Sequence, residues 1–331
     1  MNWEEVFPGP CYNEYQIGRG TQFTRTNGLR FYVAGCTFRQ LSSDSAVRIN
    51  ANSGHFIAYV TTNKFESCSS ESENGGSLYI GGSGESYHTK NIFIKSETSG
   101  DGQSFYTQVS SPEYKNQANE TVVSECGSAD SGGSSATSMV GGSLIMILCN
   151  ITKNTIEAGG GYGAIDIQSD AIITCVNIIE NTQSSGNFNY HSNPTSNNLP
   201  KFTVSSCNYM KNQCNDRADG CMIYSDGSNV SMKFCIICQN NIPFTFYALE
   251  CTITFENSYT DSTTSVDVDD EDEQLAQLNV QSPVFKNTFS STNEIVNSCT
   301  FETRTKYDNV FSYYCNPSQQ INKFFKQKRI Y

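Results

Sequence analysis

The chain has 331 residues, of which only 16% are charged, with 21 basic against 33 acidic side chains and a net charge of −12. Six acids fall in one run (Asp267, Asp269, Asp270, Glu271, Asp272, Glu273), so the rest is only mildly acidic and offers no cationic surface; nucleic acid is excluded as a partner. Ample Val, Ile, Phe and Tyr exclude a disordered chain, and no stretch reaches the 18 apolar residues of a membrane helix, residues 144–151 being the best and too short.

In chain order, residues 1–30 begin with an acidic segment that has no apolar core of the kind a secretory signal needs. Trp3, Phe7, Tyr12 and Tyr15 predict an N-terminal cap there. From residue 31 to 257 one phrase returns: cysteine, a polar residue, a large apolar residue, often an asparagine. It reads CTF (36–38), C (126), CNITKN (149–154), CVNIIEN (175–181), CNYMKN (207–212), CIICQN (235–240) and CTITFEN (251–257), and CTF again at 299–301. Between the copies lies a second phrase, a glycine or small-residue pair before a short alternating segment. It reads GGSLYI (75–80), GGSLIMI (141–147), GYGAIDI (161–167) and, more loosely, DGCMIY (219–224) and DSAVRI (44–49).

Successive cysteines at 126, 149, 175, 207 and 235 are separated by 23, 26, 32 and 28 residues. A repeat of that length built from short period-2 segments predicts an all-β fold, a parallel β-helix (β-solenoid) with irregular loops and end caps. Energetics agree. Ordering ~25 residues costs ~1–2 kcal/mol each, while about six inward side chains return only ~1.5–3 kcal/mol each. One unit cannot fold alone, so the units must stack.

The phrase then has a structural reading. Cys126, Cys149, Cys175, Cys207 and Cys235 are small and apolar enough to stack inside a narrow coil. Asn154, Asn181 and Asn212 tolerate the left-handed backbone of a bend and can bond one another between coils. Residues 144–151 break the pattern by being apolar on both faces, which predicts a covering segment or an uncovered partner strip.

Beyond the repeats, residues 258–282 read as a mobile acidic loop. The loop is no EF-hand, because Asp272 stands where the sixth-position glycine is required. Residues 283–315 read as final coils or a C-terminal cap, and 316–331 as a basic, aromatic tail suited to anionic lipid or to the acidic run.

The alternating GGSL (75–78, 141–144) and ITKN (151–154), IIEN (178–181), YMKN (209–212) and ICQN (237–240) resemble the repeats of chlamydial-type polymorphic outer-membrane proteins. The resemblance spans about residues 31–257 and implies a right-handed, pectin-lyase-like parallel β-helix displayed on a cell surface and often adhesive. The family phenylalanine is mostly Ile or Tyr here, and no C-terminal barrel pattern is present. Heavy use of Cys, Asn and Ser points to a eukaryotic, protist-type relative.

Chemistry is sparse. Asp166 and Asp170 are the candidate carboxylates for glycoside chemistry, with Asp219 and Asp226 further on, but no cluster accompanies them. His55, His88 and His191 are expected in loops, far from one another. Cys235 and Cys238 are spaced as zinc ligands, yet positions three apart in a strand face opposite ways. Stacked core thiols are the better reading, with one disulfide open to Cys214, Cys221 and Cys238 in an oxidising setting. Sequons at Asn119, Asn150 and Asn229 suit N-glycosylation and an extracellular or cell-surface location.

The expected function is non-enzymatic: adhesion or binding of a host or matrix protein or glycan, through exposed residues 81–91, 100–119 and 183–200, with no cofactor or metal. A divergent carbohydrate-active enzyme and a purely structural scaffold are the alternatives.

Overall fold

The computed structural model describes residues 14–262 except 72–73, 129–131, 194–200 and 217–219, together with 279–280. Every regular element among them is a strand, and the strands pair in parallel with the next turn of the chain. The result is a β-solenoid whose turns each contribute to three walls.

The first wall contains Phe105–Val109, Thr137–Val140, Tyr162–Ile165, Asn187–Ser192, Cys221–Asp226 and Phe244–Leu249. The second contains Arg30–Ala34, Lys115–Asn119, Ser143–Ile147, Ala171–Thr174, Lys201–Ser205, Asn229–Lys233 and Ile253–Glu256. These two form one sheet, because Val47–Thr61 and Leu78–Thr89 run through both. The third wall is a separate nine-stranded sheet of short strands, from Thr37–Arg39 to Tyr259–Thr260. Residues 14–30, expected in a cap, already carry Glu14–Ile17, which pairs with Arg30–Ala34. Of the segments read beyond residue 257, only 258–262 and the pairing of 279–280 with Thr254 and Phe255 fall within the described residues.

Two columns of left-handed residues make the corners. Between the second and third walls stand Gly35, Thr62, Lys90, Glu120, Leu148, Cys175, Ser206, Phe234 and Asn257, with φ from 47° to 62°. After the third wall stand Gln40, Ser67, Lys95, Glu125, Lys153, Glu180, Lys211 and Gln239, with φ from 53° to 59°. One left-handed residue between extended neighbours turns the chain without a loop, at a cost of roughly 1–2 kcal/mol for an L residue. It also shifts the in–out alternation by one. That resolves residues 144–151: Leu144 and Met146 point inward before the corner at Leu148, and Cys149 and Ile151 point inward after it. There are two strands, not one two-faced strand. Ile145 and Ile147 face out half-buried and Ile172 on the next turn is 43% exposed, so the expected cover is absent among the described residues.

The asparagines do their work one residue after the bend. In Lys153-Asn154, Glu180-Asn181 and Lys211-Asn212 the first residue is left-handed and the second fills the corner. Asn154 Nδ2 donates to Asn181 Oδ1 (2.8 Å), Asn181 Nδ2 to Asn212 Oδ1 (3.1 Å) and Asn212 Nδ2 to Asn240 Oδ1 (3.0 Å). Each of the last three amides also closes a carbonyl, those of Ile151, Ile178 and Tyr209.

The cysteines divide. Cys149, Cys207 and Cys235 precede in-register strands of the third wall and form one inner column, with Val176 in the place between Cys149 and Cys207. Cys175 lies one residue early, as the left-handed corner itself. Cys126 belongs to the asparagine column: its Sγ accepts from the Ser96 N–H and its own N–H donates to Asn154 Oδ1. At the other corner the N-terminal turns use asparagine where later turns use cysteine, with Asn63 Nδ2 donating to Asn91 Oδ1 (3.1 Å). The core between the corners is largely apolar, and Phe38, Phe65 and Phe93 stack through it at 4.9 and 4.7 Å.

Candidate ligand-binding surfaces

Function on a solenoid must come from its outward side chains. On the first wall one outward row reads Arg48, Tyr79, Tyr106, Ser138, Gly163, Tyr190, Tyr224, Tyr247 in strict register. Tyr79 stacks on Tyr106 (5.6 Å, 6°), with the Arg48 guanidinium 4.2 Å from the centre of the Tyr79 ring. Tyr190, Tyr224 and Tyr247 form a second stack, 5.0 Å apart at each step. Ser138 and Gly163, which carry no ring, separate the two blocks.

Acids border this row. Burial, then the neighbouring Glu250, raises the Asp226 carboxyl above the usual range, while a hydrogen bond from Tyr190 works against that. Burial pushes Tyr106 up to about 12, with Tyr79, Asp101 and Asp166 adding to it. Tyr190 rises through burial, then through Asp226. Asp166 is an exposed left-handed corner residue whose charge reaches Tyr106 and Tyr190, one in each block. Asp170 is employed differently: its Oδ1 accepts from the Lys201 N–H at 3.1 Å and ties two turns together. The two carboxylates lie on either side of the buried Ile167 in sequence. Asp219 lies outside the described residues.

The second wall carries its own row, Tyr15, Tyr32, Tyr59, Tyr87, then Gln117 and Ile145. Tyr32 and Tyr59 stack at 5.9 Å. Beside the row, a bulge after Ala51 lifts His55 over the surface, where its ring stacks on Tyr114 at 4.4 Å. His55 Nε2 is 3.6 Å from Glu85 Oε1, and the Tyr87 hydroxyl donates to Glu85 Oε2. Lys115 Nζ lies 5.9 Å from the Tyr87 ring centre. Glycine makes this crossing fit: a Cβ on Gly82, at φ +124°, would meet Ala51 O at 2.1 Å. Residues 81–91, expected as a loop, are largely the strand Leu78–Thr89, which presents its outward side chains on the wall.

All three histidines lie in strands and not in loops, His55 at the bulge within Val47–Thr61 and the other two within Leu78–Thr89 and Asn187–Ser192. His88 and His191 are buried and point into the core. Burial alone takes His88 down to about 3, its ring lying edge-on to Phe105 at 4.2 Å. Burial takes His191 down to about 4 against a backbone hydrogen bond to Tyr224. Cys235 sits in the core, whereas Cys238 joins Met210, Ile236 and Ile179 in a small cluster outside the third wall, so the pair cannot chelate. All described cysteines are free thiols, Cys214, Cys221 and Cys238 included. No group of three metal-ligating side chains occurs among the described residues.

The sequons differ. Asn150 is 3% exposed and its Oδ1 accepts from Asn177 Nδ2 (2.7 Å), while Asn177 Oδ1 in turn accepts from Asn208 Nδ2 (2.7 Å); a glycan there would break this ladder. Asn229 is half-buried, with Oδ1 taking the Thr252 N–H, and Asn119 is half-buried on the second wall.

Sequence reading missed the tyrosine rows because their spacing wanders: 27 residues from Tyr79 to Tyr106, 34 and 23 along Tyr190, Tyr224 and Tyr247. The available signal was the recurring apolar-Tyr-x or Asn-Tyr-x step in LYI (78–80), FYT (105–107), NYH (189–191), IYS (223–225) and FYA (246–248). No family model matches the chain, and neither a curated protein nor a solved structure matches it. No described helix is long and apolar enough to cross a membrane.

Proposed function

We propose that this chain is a non-enzymatic, surface-displayed or secreted repeat protein that binds a glycan along its outer walls, in the adhesive manner that the polymorphic outer-membrane protein resemblance implies. The observation that carries the reading is the outward row Tyr190, Tyr224, Tyr247 beside Asp226 and Asp166. Within the stack each ring face is occupied by its neighbour, so the row offers a line of hydroxyl-bearing edges. Carboxylates alongside accept hydrogen bonds from sugar hydroxyls, and phenol edges both donate and accept. At the Tyr190 end of the stack the register neighbour is the ringless Gly163, which leaves room for a pyranose to lie against the Tyr190 face. A polymer running along the solenoid axis meets such groups at each turn, ~4.8 Å apart.

The test is a glycan array with the full chain, followed by titration of Tyr224→Ala against wild type. Selective glycan binding, weakened about tenfold by the substitution, supports the reading. An empty array with folded protein ends it, and antibody labelling restricted to the cell interior ends the surface assignment.

A second reading, a divergent carbohydrate-active enzyme, draws on one feature: Asp226, with a raised carboxyl pKa, lies within electrostatic reach of Glu250. It requires that oligosaccharide cleavage be present in wild type and lost in Asp226→Asn.

A further inference from the structure

We infer that the Tyr190 end of the second tyrosine stack is a docking site for an arginine guanidinium, so that the first wall takes a basic, arginine-bearing segment of a partner protein, a ligand class independent of the glycan reading above.

One outward row holds both the precedent and the site. Its first block is Arg48, Tyr79 and Tyr106, each one turn from the next. Arg48 closes that block: its guanidinium lies 4.2 Å from the centre of the Tyr79 ring, and its Nη1 is 3.3 Å from Asp44 Oδ1. A stacked tyrosine end, a guanidinium on its face and a carboxylate beside the guanidinium form one unit. Rings carry cations elsewhere too, with Arg25 over Phe23 at 4.4 Å and Lys115 over Tyr87 at 5.9 Å.

The second block, Tyr190, Tyr224 and Tyr247, repeats this unit without its cation. The register place that Arg48 fills before Tyr79 is held before Tyr190 by Gly163. A Cβ there would lie 3.1 Å from Ser135 Oγ and 3.3 Å from Ile165 Cδ1, so a hydroxyl and an apolar chain end floor the place and no charge does. Among the described residues no Lys or Arg lies over Tyr190 or Tyr224.

The carboxylates, by contrast, are there. Asp166, three residues after Gly163, is exposed and its charge reaches Tyr190. Asp226 takes a hydrogen bond from Tyr190 and is pushed up by burial first and by neighbouring Glu250 second. None of these three acids pairs with a described cation. Lys211 and Lys233 pair with Glu180 and Glu256, Lys153 stands at a third-wall corner, and Lys201 lies on the second wall. A guanidinium brought to Tyr190 stacks on the ring and forks toward a carboxylate at once, whereas an ammonium does only the second well. Asp166 and Glu250 stand three turns apart in register, ~14 Å at ~4.8 Å per turn, which an extended segment of about four residues spans.

The experiment is titration calorimetry of the full chain, at about 0.15 M salt, with blocked tetra-arginine, tetra-lysine and tetra-citrulline peptides, the last being the arginine shape without its charge. Wild type is expected to bind tetra-arginine about fivefold more tightly than tetra-lysine and tetra-citrulline not measurably. Tyr190→Leu is expected to bring tetra-arginine down to the affinity of tetra-lysine, while Tyr190→Phe, which keeps the ring, retains the difference. Asp166→Asn is expected to weaken both cationic peptides about threefold. Circular dichroism and the thermal midpoint establish that each variant is folded, and Tyr190→Met replaces Tyr190→Leu should the latter fail to fold. An arginine preference that survives in folded Tyr190→Leu places the peptide elsewhere, as on the acidic run at 267–273, and overturns the site. Equal affinity for arginine and lysine peptides in wild type, or no binding of either, overturns it as well. An empty glycan array leaves it standing.

Discussion

The Tyr162 hydroxyl lies 2.8 Å from His191 Nε2, and His191 Nδ1 lies 2.9 Å from the Tyr224 carbonyl oxygen. The carbonyl can only accept, so Nδ1 carries the proton and Nε2 accepts from Tyr162. The network holds neutral histidine in the core, and protonation of Nε2 would force the Tyr162 hydroxyl to turn from donor to acceptor. Tyr209 extends it, its hydroxyl 3.3 Å from that of Tyr162.

This sets an acid limit on the fold. His191 is held down to about 4 and His88 to about 3, against 6.5 when unfolded. Both pKa values are depressed, so above pH 6.5 neither state binds the proton and stability is full. As pH falls below 6.5 the unfolded chain gains protons that the folded chain refuses, and stability drops until pH approaches the folded values. The slope is about 1.4 kcal/mol per pH unit for each histidine. Urea unfolding between pH 7.5 and 4.5 should show the loss beginning near 6.5, and His88→Phe should remove about half of the slope. An unchanged slope in folded His88→Phe would refute the assignment.

The asparagine column should be the least tolerant polar feature of the solenoid. Asn181 Oδ1 takes the N–H of Asn154 and its side-chain amide, while Asn181 Nδ2 serves Ile151 O and Asn212 Oδ1. Asn181→Ala leaves several buried groups unpaired, at ~1–3 kcal/mol for each that finds no new partner. A total loss of about 3 kcal/mol is expected by denaturant unfolding. Thr155→Ala, one residue after the same column and exposed, should change stability by less than about 0.5 kcal/mol. Similar losses for the two would show that the ladder contributes little.

What could be read from sequence was what every turn must repeat. Asn154, Asn181 and Asn212 fill one geometric slot, so their word survives loops of different length. Cys175 shows the limit: it begins the same word, but Val176 takes the inward slot and moves the cysteine onto the corner. A word fixes register only to within a residue where two small apolar residues can exchange places. The outward groups were hidden for another reason. His55, Glu85 and Tyr114 lie about 30 residues apart in sequence, and only the bulge after Ala51 and the exact turn lengths bring them together. The two-faced appearance of residues 144–151 came from assuming that one strand continues through Leu148, where a left-handed residue reverses the alternation.

The corner columns make a signed prediction at Lys153. It is exposed, has φ +57° and makes no ion pair among the described residues, so backbone preference dominates any substitution. Glycine removes the left-handed penalty of roughly 1–2 kcal/mol and adds back about 0.5–1 of unfolded-state entropy, a net gain near 0.5 kcal/mol. Lys153→Val places a β-branched residue where such residues are true outliers and should lose more than about 1 kcal/mol. Thermal midpoints of the two variants should move in opposite directions. Movement in the same direction would mean that the corner is not held by its backbone geometry.

The thiols provide a test of the core that needs no substitution. Alkylation requires both access and thiolate. Ten of the described cysteines are buried and only Cys251 is partly exposed. Burial pushes Cys126 and Cys149 up to about 12, so at pH 8 about one thiol in ten thousand is ionised even before access is considered. Of 14 cysteines in the chain, native iodoacetamide labelling should therefore reach no more than four, against all 14 in denaturant. Peptide mapping by mass spectrometry decides which. Cys149, Cys207 and Cys235 should be among the last modified, because opening their column requires parting adjacent turns of the third wall. Rapid native labelling at Cys207 or Cys235 would mean that the column faces solvent, and the inward reading of the whole phrase would fall with it.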